Sequence, residues 1–168
     1  SGKPVGYAVD LCLRMADLVR KKTGKKDMEV ELLMVTPANR LAVIEQGKAD
    51  LECGSTTNNA ERRQKVAFTV PHFITGARML VKAASPIDRL EDLQGKTLAS
   101  TKGTTPLKAA TQATRERMMG IRIVEAPDHA RGVEMVEKGE ADAFLMDDVL
   151  LYGLAASRPD PKALKVVG

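Results

Sequence analysis

The spacing of apolar residues predicts alternating helices and strands in the first third of the chain. Over residues 8–22 the apolar side chains recur at i, i+3, i+4 and i+7, as in an amphipathic helix, and Gly24 is placed to end it. Apolar runs at 28–35 and 49–53 predict strands, the second of them buried, and a short helix over 40–46 that Gly47 ends lies between them. This alternation is typical of parallel α/β layering, so we expect an α/β fold.

The same alternation continues through the rest of the chain. An apolar run at 73–85, which Gly76 interrupts, precedes predicted strands at 97–101, 121–125, 143–146 and 163–167. Helices are predicted from Pro106, over 129–138 and over 149–156, and Asp128 is the expected N-cap of the second.

Two segments share one pattern. AVIEQGKADLECGS (42–55) and EMVEKGEADAFLMD (134–147) each combine a short helix, a glycine cap, a charged residue, Ala-Asp and an apolar strand that runs into polar residues. Two copies of one unit predict two similar lobes.

Composition and charge narrow the classes of function. Trp is absent and aromatic residues make up 3% of the chain, which disfavours base-stacking surfaces. The net charge of +4 comes from 26 basic and 22 acidic residues that are scattered along the sequence, so we expect no nucleic-acid partner. No apolar run approaches the roughly 18 residues of a membrane helix, and the first residues do not resemble a signal peptide. The protein is therefore either cytosolic or has lost a targeting segment.

The cysteines and histidines form no recognisable catalytic or metal motif. Cys12 and Cys53 lack zinc-site spacing, so they are either buried small residues or, in an oxidising compartment, a disulfide. His72 follows Pro71 in a context that indicates packing or a turn. We therefore expect no catalytic residue, no metal and no cofactor.

Hydroxyl and amide side chains follow the strand predicted at 49–53. Open α/β sheets bind ligands at the carboxyl ends of their strands, so Gly54 to Asn58, with Arg62 one turn into the next helix, predict a site for an anion. An arginine fork suits a planar carboxylate better than a lysine does. The alternative interpretation is an N-cap with Arg62 and Arg63 as solvated helix residues.

The second copy carries acids where the first carries hydroxyls. Asp147 and Asp148 follow the strand at 143–146, so the two copies together offer donors and an acid, which suits a zwitterion; alternatively, either aspartate is the N-cap of the next helix. The turn STKGTTPLK (100–108) lacks Walker A spacing, although Thr101, Thr104 and backbone amides there could hold a carboxylate. His129, at another strand-to-helix turn, is either structural or a partner for a second anion.

These residues resemble a known family. The segments PVGYAVDLC, DLECGSTTNNAERRQKVAFTVPHF, LEDLQGKTLASTKGTT and ADAFLMDD, in this order, are similar to periplasmic amino-acid-binding proteins of ABC importers, and ECGSTTNNAER is similar to the glutamate/aspartate binders among them. The resemblance implies a two-lobed periplasmic-binding-protein fold of type II with three-layer α/β lobes. It also implies a periplasmic location, a permease of the ABC importer as partner, and L-glutamate or L-aspartate as ligand.

The resemblance implies a role for each candidate residue. Arg62 would pair with the ligand α-carboxylate, helped by Ser55, Thr57 and the turn of Thr101 and Thr104. Asp147 would receive the α-ammonium group. Arg40 and His129 would face the side-chain carboxylate. Pro37 departs from the family, which usually carries a hydroxyl or amide residue there.

Relatives begin with a strand ahead of GYAVDLC and end with a return crossover, so the resemblance implies that this chain is truncated. We expect an incomplete lobe 1 (1–77), a crossover hinge strand (78–82), lobe 2 (83–168), and an open sheet edge that favours a swapped oligomer. In an oxidising periplasm a Cys12–Cys53 bridge would join the first helix to the strand beneath it.

Three classes of function follow from the resemblance. The first is a non-enzymatic receptor that closes its lobes on glutamate or aspartate for ABC-transporter uptake. The second is an enzyme on the same scaffold, such as a periplasmic dehydratase, for which His129 is the candidate acid or base. The third is the ligand-binding sensory domain of a receptor.

Overall fold

The chain divides into two units in a computed structural model that describes residues 4–168. Unit 1 comprises Ser1–Val35 and Asn39–Thr69, and unit 2 comprises Thr36–Ala38 and Val70–Gly168. The structure groups 70–82 with unit 2, whereas the predicted boundaries place residues up to 77 in lobe 1 and 78–82 in a hinge strand.

Unit 2 is built on a five-stranded sheet with the order β3-β2-β4-β1-β5. Its strands are β1 (Ala77–Lys82), β2 (Thr97–Thr101), β3 (Arg122–Ala126), β4 (Ala143–Asp147) and β5 (Leu164–Val167). Its helices are α4 (Thr105–Glu116), α5 (His129–Glu137) and α6 (Asp148–Ala156). The α/β class and the elements predicted between 97 and 167 are confirmed to within two residues at their ends.

The predicted parallel layering is correct for only part of this sheet. β2 pairs in parallel with β3 and with β4, because α4 and α5 carry the chain back between these strands. β1 instead lies between β4 and β5 and is antiparallel to both. The sheet is therefore mixed, parallel among β3, β2 and β4 and antiparallel at β1.

Alternating side chains of the sheet supply a core on each face. Leu80, Ala99 and Phe144 pack with apolar residues of α5 and α6. Met79 and Leu98, one position away on their strands, pack in a second cluster that includes residues of α4 and of the segment before β2. Helices on both sides of the sheet thus give unit 2 three layers.

Unit 1 contains helices but, among its described residues, no strand. Its helices are α1 (Tyr7–Thr23), α2 (Arg40–Glu45) and α3 (Ala60–Arg63). Gly24 directly follows α1 and Gly47 follows the C-cap residue of α2, and their left-handed φ values of 69° and 64° confirm the predicted helix ends.

The strands predicted at 28–35 and 49–53 are not formed. A strand needs a hydrogen-bonded neighbour, and the sheet pairings of the described chain all lie in unit 2. The expected burial of the second run is also wrong, since Leu51 is 47% exposed. In the first run Met34 is 76% exposed.

Cys12 and Cys53 form a disulfide in the structure. Their Cα atoms lie 6.1 Å apart and their sulfurs close a covalent loop over a sequence separation of 41. The bond ties α1 to the segment that leads into the polar stretch at 54–59. None of the helices within 4–168 combines the length and apolar character needed to cross a membrane.

Candidate functional site

The topology of unit 2 gathers its predicted site residues at one edge of the sheet. β3, β2 and β4 are adjacent and parallel, so their carboxyl ends lie side by side. Thr101 is the last residue of β2 and Asp147 the last of β4, while His129 begins α5 just after β3. The register pairs Thr101 with Ala126 and Ser100 with Leu145, which places these ends level with one another.

Thr101 and His129 are in direct contact. Thr101 Oγ1 lies 2.8 Å from His129 Nδ1, and Thr101 is fully buried. Thr104 is the N-cap of α4; its hydroxyl accepts from the Leu107 N–H at 3.4 Å and donates to the Thr101 carbonyl at 2.7 Å. The single hydroxyl hydrogen of Thr104 is therefore used within the turn.

Gly103 is required by the close packing of this turn. It has a φ of +79°, and a Cβ there would lie 2.6 Å from the Pro37 carbonyl oxygen and 2.7 Å from Ala38 Cα. The segment 36–38 therefore lies against the turn that carries Thr101 and Thr104. Pro37 makes this contact through its backbone.

The two consecutive aspartates have different surroundings. Asp148 Oδ1 accepts from Thr75 Oγ1 at 2.6 Å, and Asp148 Oδ2 lies 4.0 Å from Arg78 Nε. Asp147 is buried, occupies the N-cap position of α6 and makes no side-chain cap bond there. Asp148 thus anchors the chain that enters β1, and Asp147 is the acid at the sheet edge.

The two consecutive arginines of unit 1 also differ. Arg62 is 8% exposed, and its Nη1 donates to the Thr57 carbonyl at 3.0 Å. Its backbone N–H donates to Asn59 Oδ1, which caps α3. Arg63 is exposed and donates to Asn58 Oδ1. The interpretation of both arginines as solvated helix residues therefore holds for Arg63 alone.

Arg40 is the second buried cation of unit 1. It is 6% exposed at the first position of α2. Ser55 and Thr57 are exposed, and the Thr57 carbonyl accepts from Arg62. Within the described part of unit 1, Arg40 and Arg62 are the only buried residues, and a buried guanidinium is stable only when its charge is hydrogen-bonded or paired.

The pairing of Thr101 with His129 is not among the contacts predicted from the sequence. The signal was available in part: both residues lie at carboxyl ends of strands predicted to be parallel, but strand order is needed to make β2 and β3 neighbours. Thr56, which lies between two predicted ligand residues, has a hydroxyl shielded from solvent. No group of three or more potential ligand side chains in residues 4–168 is arranged to hold a metal ion.

Comparison with known proteins identifies similar sequences. The family model for bacterial extracellular solute-binding proteins, family 3, matches residues 1–146. An L-glutamate/L-aspartate-binding protein of Pseudomonas aeruginosa is 40% identical over 160 residues, which are 95% of this chain and 53% of that protein. A glutamate/aspartate import solute-binding protein of Salmonella typhimurium is 40% identical over 166 residues, 99% of this chain and 55% of that protein. The chain thus spans about half the length of the curated relatives it matches.

Solved structures are similar over nearly the whole chain. An ancestral arginine-binding protein bound to arginine superimposes with a TM-score of 0.85 at 26% identity, over 99% of this chain and 70% of that one. The arginine-, lysine-, histidine-binding protein ArtJ of Geobacillus stearothermophilus gives a TM-score of 0.79 at 27% identity, over 100% of this chain and 68% of that one.

Proposed function

Because the chain belongs to family 3 of the bacterial extracellular solute-binding proteins, we propose that it captures an acidic L-amino acid in the periplasm and delivers it to the membrane subunits of an ABC importer. The two relatives named above are described as binders of glutamate and aspartate, and each is 40% identical to this chain. The observation that carries the proposal is the buried Arg62, held by the Thr57 carbonyl within the stretch of hydroxyl and amide residues.

In this proposal two buried charges recognise the two charged groups of the ligand backbone. Arg62 pairs with the ligand α-carboxylate through its planar fork, and Ser55 and Thr57 flank it. Asp147 receives the α-ammonium group. A buried cation and a buried acid have the charges that the opposite ends of one zwitterion require.

Arg40 and His129 are proposed to face the ligand side-chain carboxylate, which gives the preference for acids. The turn of Thr101 and Thr104 is proposed to help Arg62 hold the α-carboxylate, and we propose that no cofactor or metal takes part. We propose that binding favours the conformation in which these side chains reach the ligand.

Isothermal titration calorimetry with L-glutamate, L-aspartate, L-glutamine and L-asparagine tests this function. The chain is first characterised by light scattering, because a swapped oligomer would alter the number of sites. We expect heat from the two acids and little from the two amides. The amino acid recovered after incubation should be unchanged, since a receptor releases its ligand intact; a converted product would instead support an enzyme.

Two neighbouring variants make the experiment specific. Arg62→Ala should abolish binding of both acids, while Arg63→Ala, which removes an exposed arginine from the same short helix, should bind as the unmodified chain does. Equal loss in both variants would mean that the effect is general charge or misfolding. Retained binding in Arg62→Ala would remove the central residue from the proposal.

A further inference from the structure

The side chain of Thr101 is hydrogen-bonded to the imidazole ring of His129. It is fully buried at the carboxyl end of β2, and its hydroxyl oxygen lies 2.8 Å from His129 Nδ1. A buried hydroxyl costs free energy unless it is hydrogen-bonded, so this contact accounts for a polar group in the interior of unit 2.

The backbone holds both residues in place. The Lys102 N–H donates to the Ala126 carbonyl at 2.9 Å, which extends the β2–β3 pairing beyond Thr101. On the histidine side, Asp128 Oδ1 accepts from the Arg131 N–H at 2.8 Å and fixes the start of α5. The hydroxyl and the ring therefore meet between two anchored elements.

We propose that Thr101 is a positioning residue whose hydroxyl donates to Nδ1 of His129, so that the imidazole meets the side-chain carboxylate of the ligand through Nε2–H and favours acids over amides. The identity of the ligand rests on the function proposed above; the contact between Thr101 and His129 does not.

The chemistry of imidazole explains why one hydroxyl matters. In a neutral ring one nitrogen carries the proton and the other accepts, and the hydrogen bond made by one nitrogen decides the state of the other. When Thr101 donates to Nδ1, the proton lies on Nε2. A carboxylate only accepts hydrogen bonds, whereas an amide presents two N–H donors as well, so an Nε2–H suits the carboxylate better.

Nitrogen NMR tests the contact without a ligand. The chain contains two histidines, so a His72→Gln background leaves His129 as the one ring to observe. Well above the ordinary histidine pKa of about 6.5, we expect a protonated Nε2 and an unprotonated Nδ1 with the resonance shift of a hydrogen-bond acceptor. Thr101→Val should remove that shift and Thr101→Ser should restore it. A ring protonated at Nδ1 would overturn the proposal.

Binding measurements test the consequence. In Thr101→Val the affinity for the preferred acid should fall about tenfold relative to the affinity for its amide, the effect of one lost hydrogen bond. Thr101→Ser should regain most of the preference. The matched control is Thr97→Val, at the other end of β2, where the lost hydroxyl accepts from Arg122 Nε.

The outcomes separate this inference from the proposed function. An unchanged acid preference in Thr101→Val, or an equal change in Thr97→Val, would overturn the positioning role. If the unmodified chain binds none of the four amino acids, the proposed function fails, and the nitrogen resonances still decide whether Thr101 controls His129.

Discussion

The two units differ in how they are held together. Unit 2 has a five-stranded sheet with an apolar cluster on each face, and its largest core residue, Phe144, is fully buried. In the described part of unit 1, the buried residues are Arg40 and Arg62, and a disulfide joins α1 to the extended segment at 49–53. Apolar packing stabilises unit 2, whereas the described part of unit 1 contains a disulfide and two buried arginines.

The repeated sequence pattern shows why they differ. Both copies contain a helix, a glycine with left-handed φ, and Ala-Asp before an apolar run. In the second copy the run forms β4 between two neighbouring strands, while in the first it stays unpaired. A similar sequence pattern therefore forms a strand only where neighbouring strands exist, because a strand is stabilised by its pairings.

The largest expected difference between the units is the cost of deleting an apolar side chain. Phe144→Ala should lower the free energy of unfolding of unit 2 by about 3–5 kcal/mol, through lost burial and a cavity. Leu51→Ala, at a position 47% exposed in unit 1, should cost less than about 1 kcal/mol. Hydrogen exchange measured by mass spectrometry resolves the two units. Similar costs would mean that unit 1 buries an apolar core in solution.

The disulfide should matter to unit 1 alone. In the chain-entropy model, closing a loop over a separation of 41 residues stabilises by about 3–4 kcal/mol. Reduction, or the double variant Cys12→Ser and Cys53→Ser, should therefore speed amide exchange in α1 and in 49–53, and leave the sheet of unit 2 unchanged.

Mass spectrometry with and without reductant provides the control for that experiment. Thiol labelling of freshly purified protein should occur only after reduction. Free thiols before reduction would rule out the disulfide, and faster exchange throughout unit 2 would show that the two units do not unfold independently.

Features set by local sequence were predictable, and those set by distant partners were not. The Asp128 side chain caps the start of α5, and the left-handed φ of Gly24 ends α1. Both signals are local, so α1 and α5 were predicted to within a residue at each end. The antiparallel β1 and the missing strands of unit 1 depend on which segments become neighbours.

The candidate site was likewise predictable only in its residue types, and not in their burial or contacts. The residue types of the anion site were apparent in the stretch around Arg62, but the difference between Arg62 and Arg63 is one of burial, which no spacing reveals. The contact between Thr101 and His129 needs the order of β2 and β3, which comes only from the fold.

A smaller effect is expected from the helix caps. Asp128→Ala removes the side chain that accepts from the Arg131 N–H at the start of α5, and should cost about 1 kcal/mol. Asn59→Ala removes the equivalent bond in unit 1, but α3 has only four residues, so its loss should affect global unfolding less. Urea unfolding followed by circular dichroism measures both costs. A larger cost for Asn59→Ala would mean that the cap in unit 1 contributes more to the free energy of unfolding than the cap in unit 2 does.

The smallest expected effect is a loss of stability of unit 2 at acid pH. Backbone N–H groups of Asp88 and Arg89 donate to the Asp92 carboxylate and lower its pKa below the usual 3.8. Because the folded pKa is lower than the unfolded one, this contribution to stability is fully present above pH 3.8 and is lost as the pH falls through the lowered value. Asp92→Asn should therefore reduce the fall in stability of unit 2 at acid pH. Asp17→Asn, the same change on α1 of unit 1, should leave that fall unaltered; an equal response to both would assign it to net charge instead of to the Asp92 hydrogen bonds.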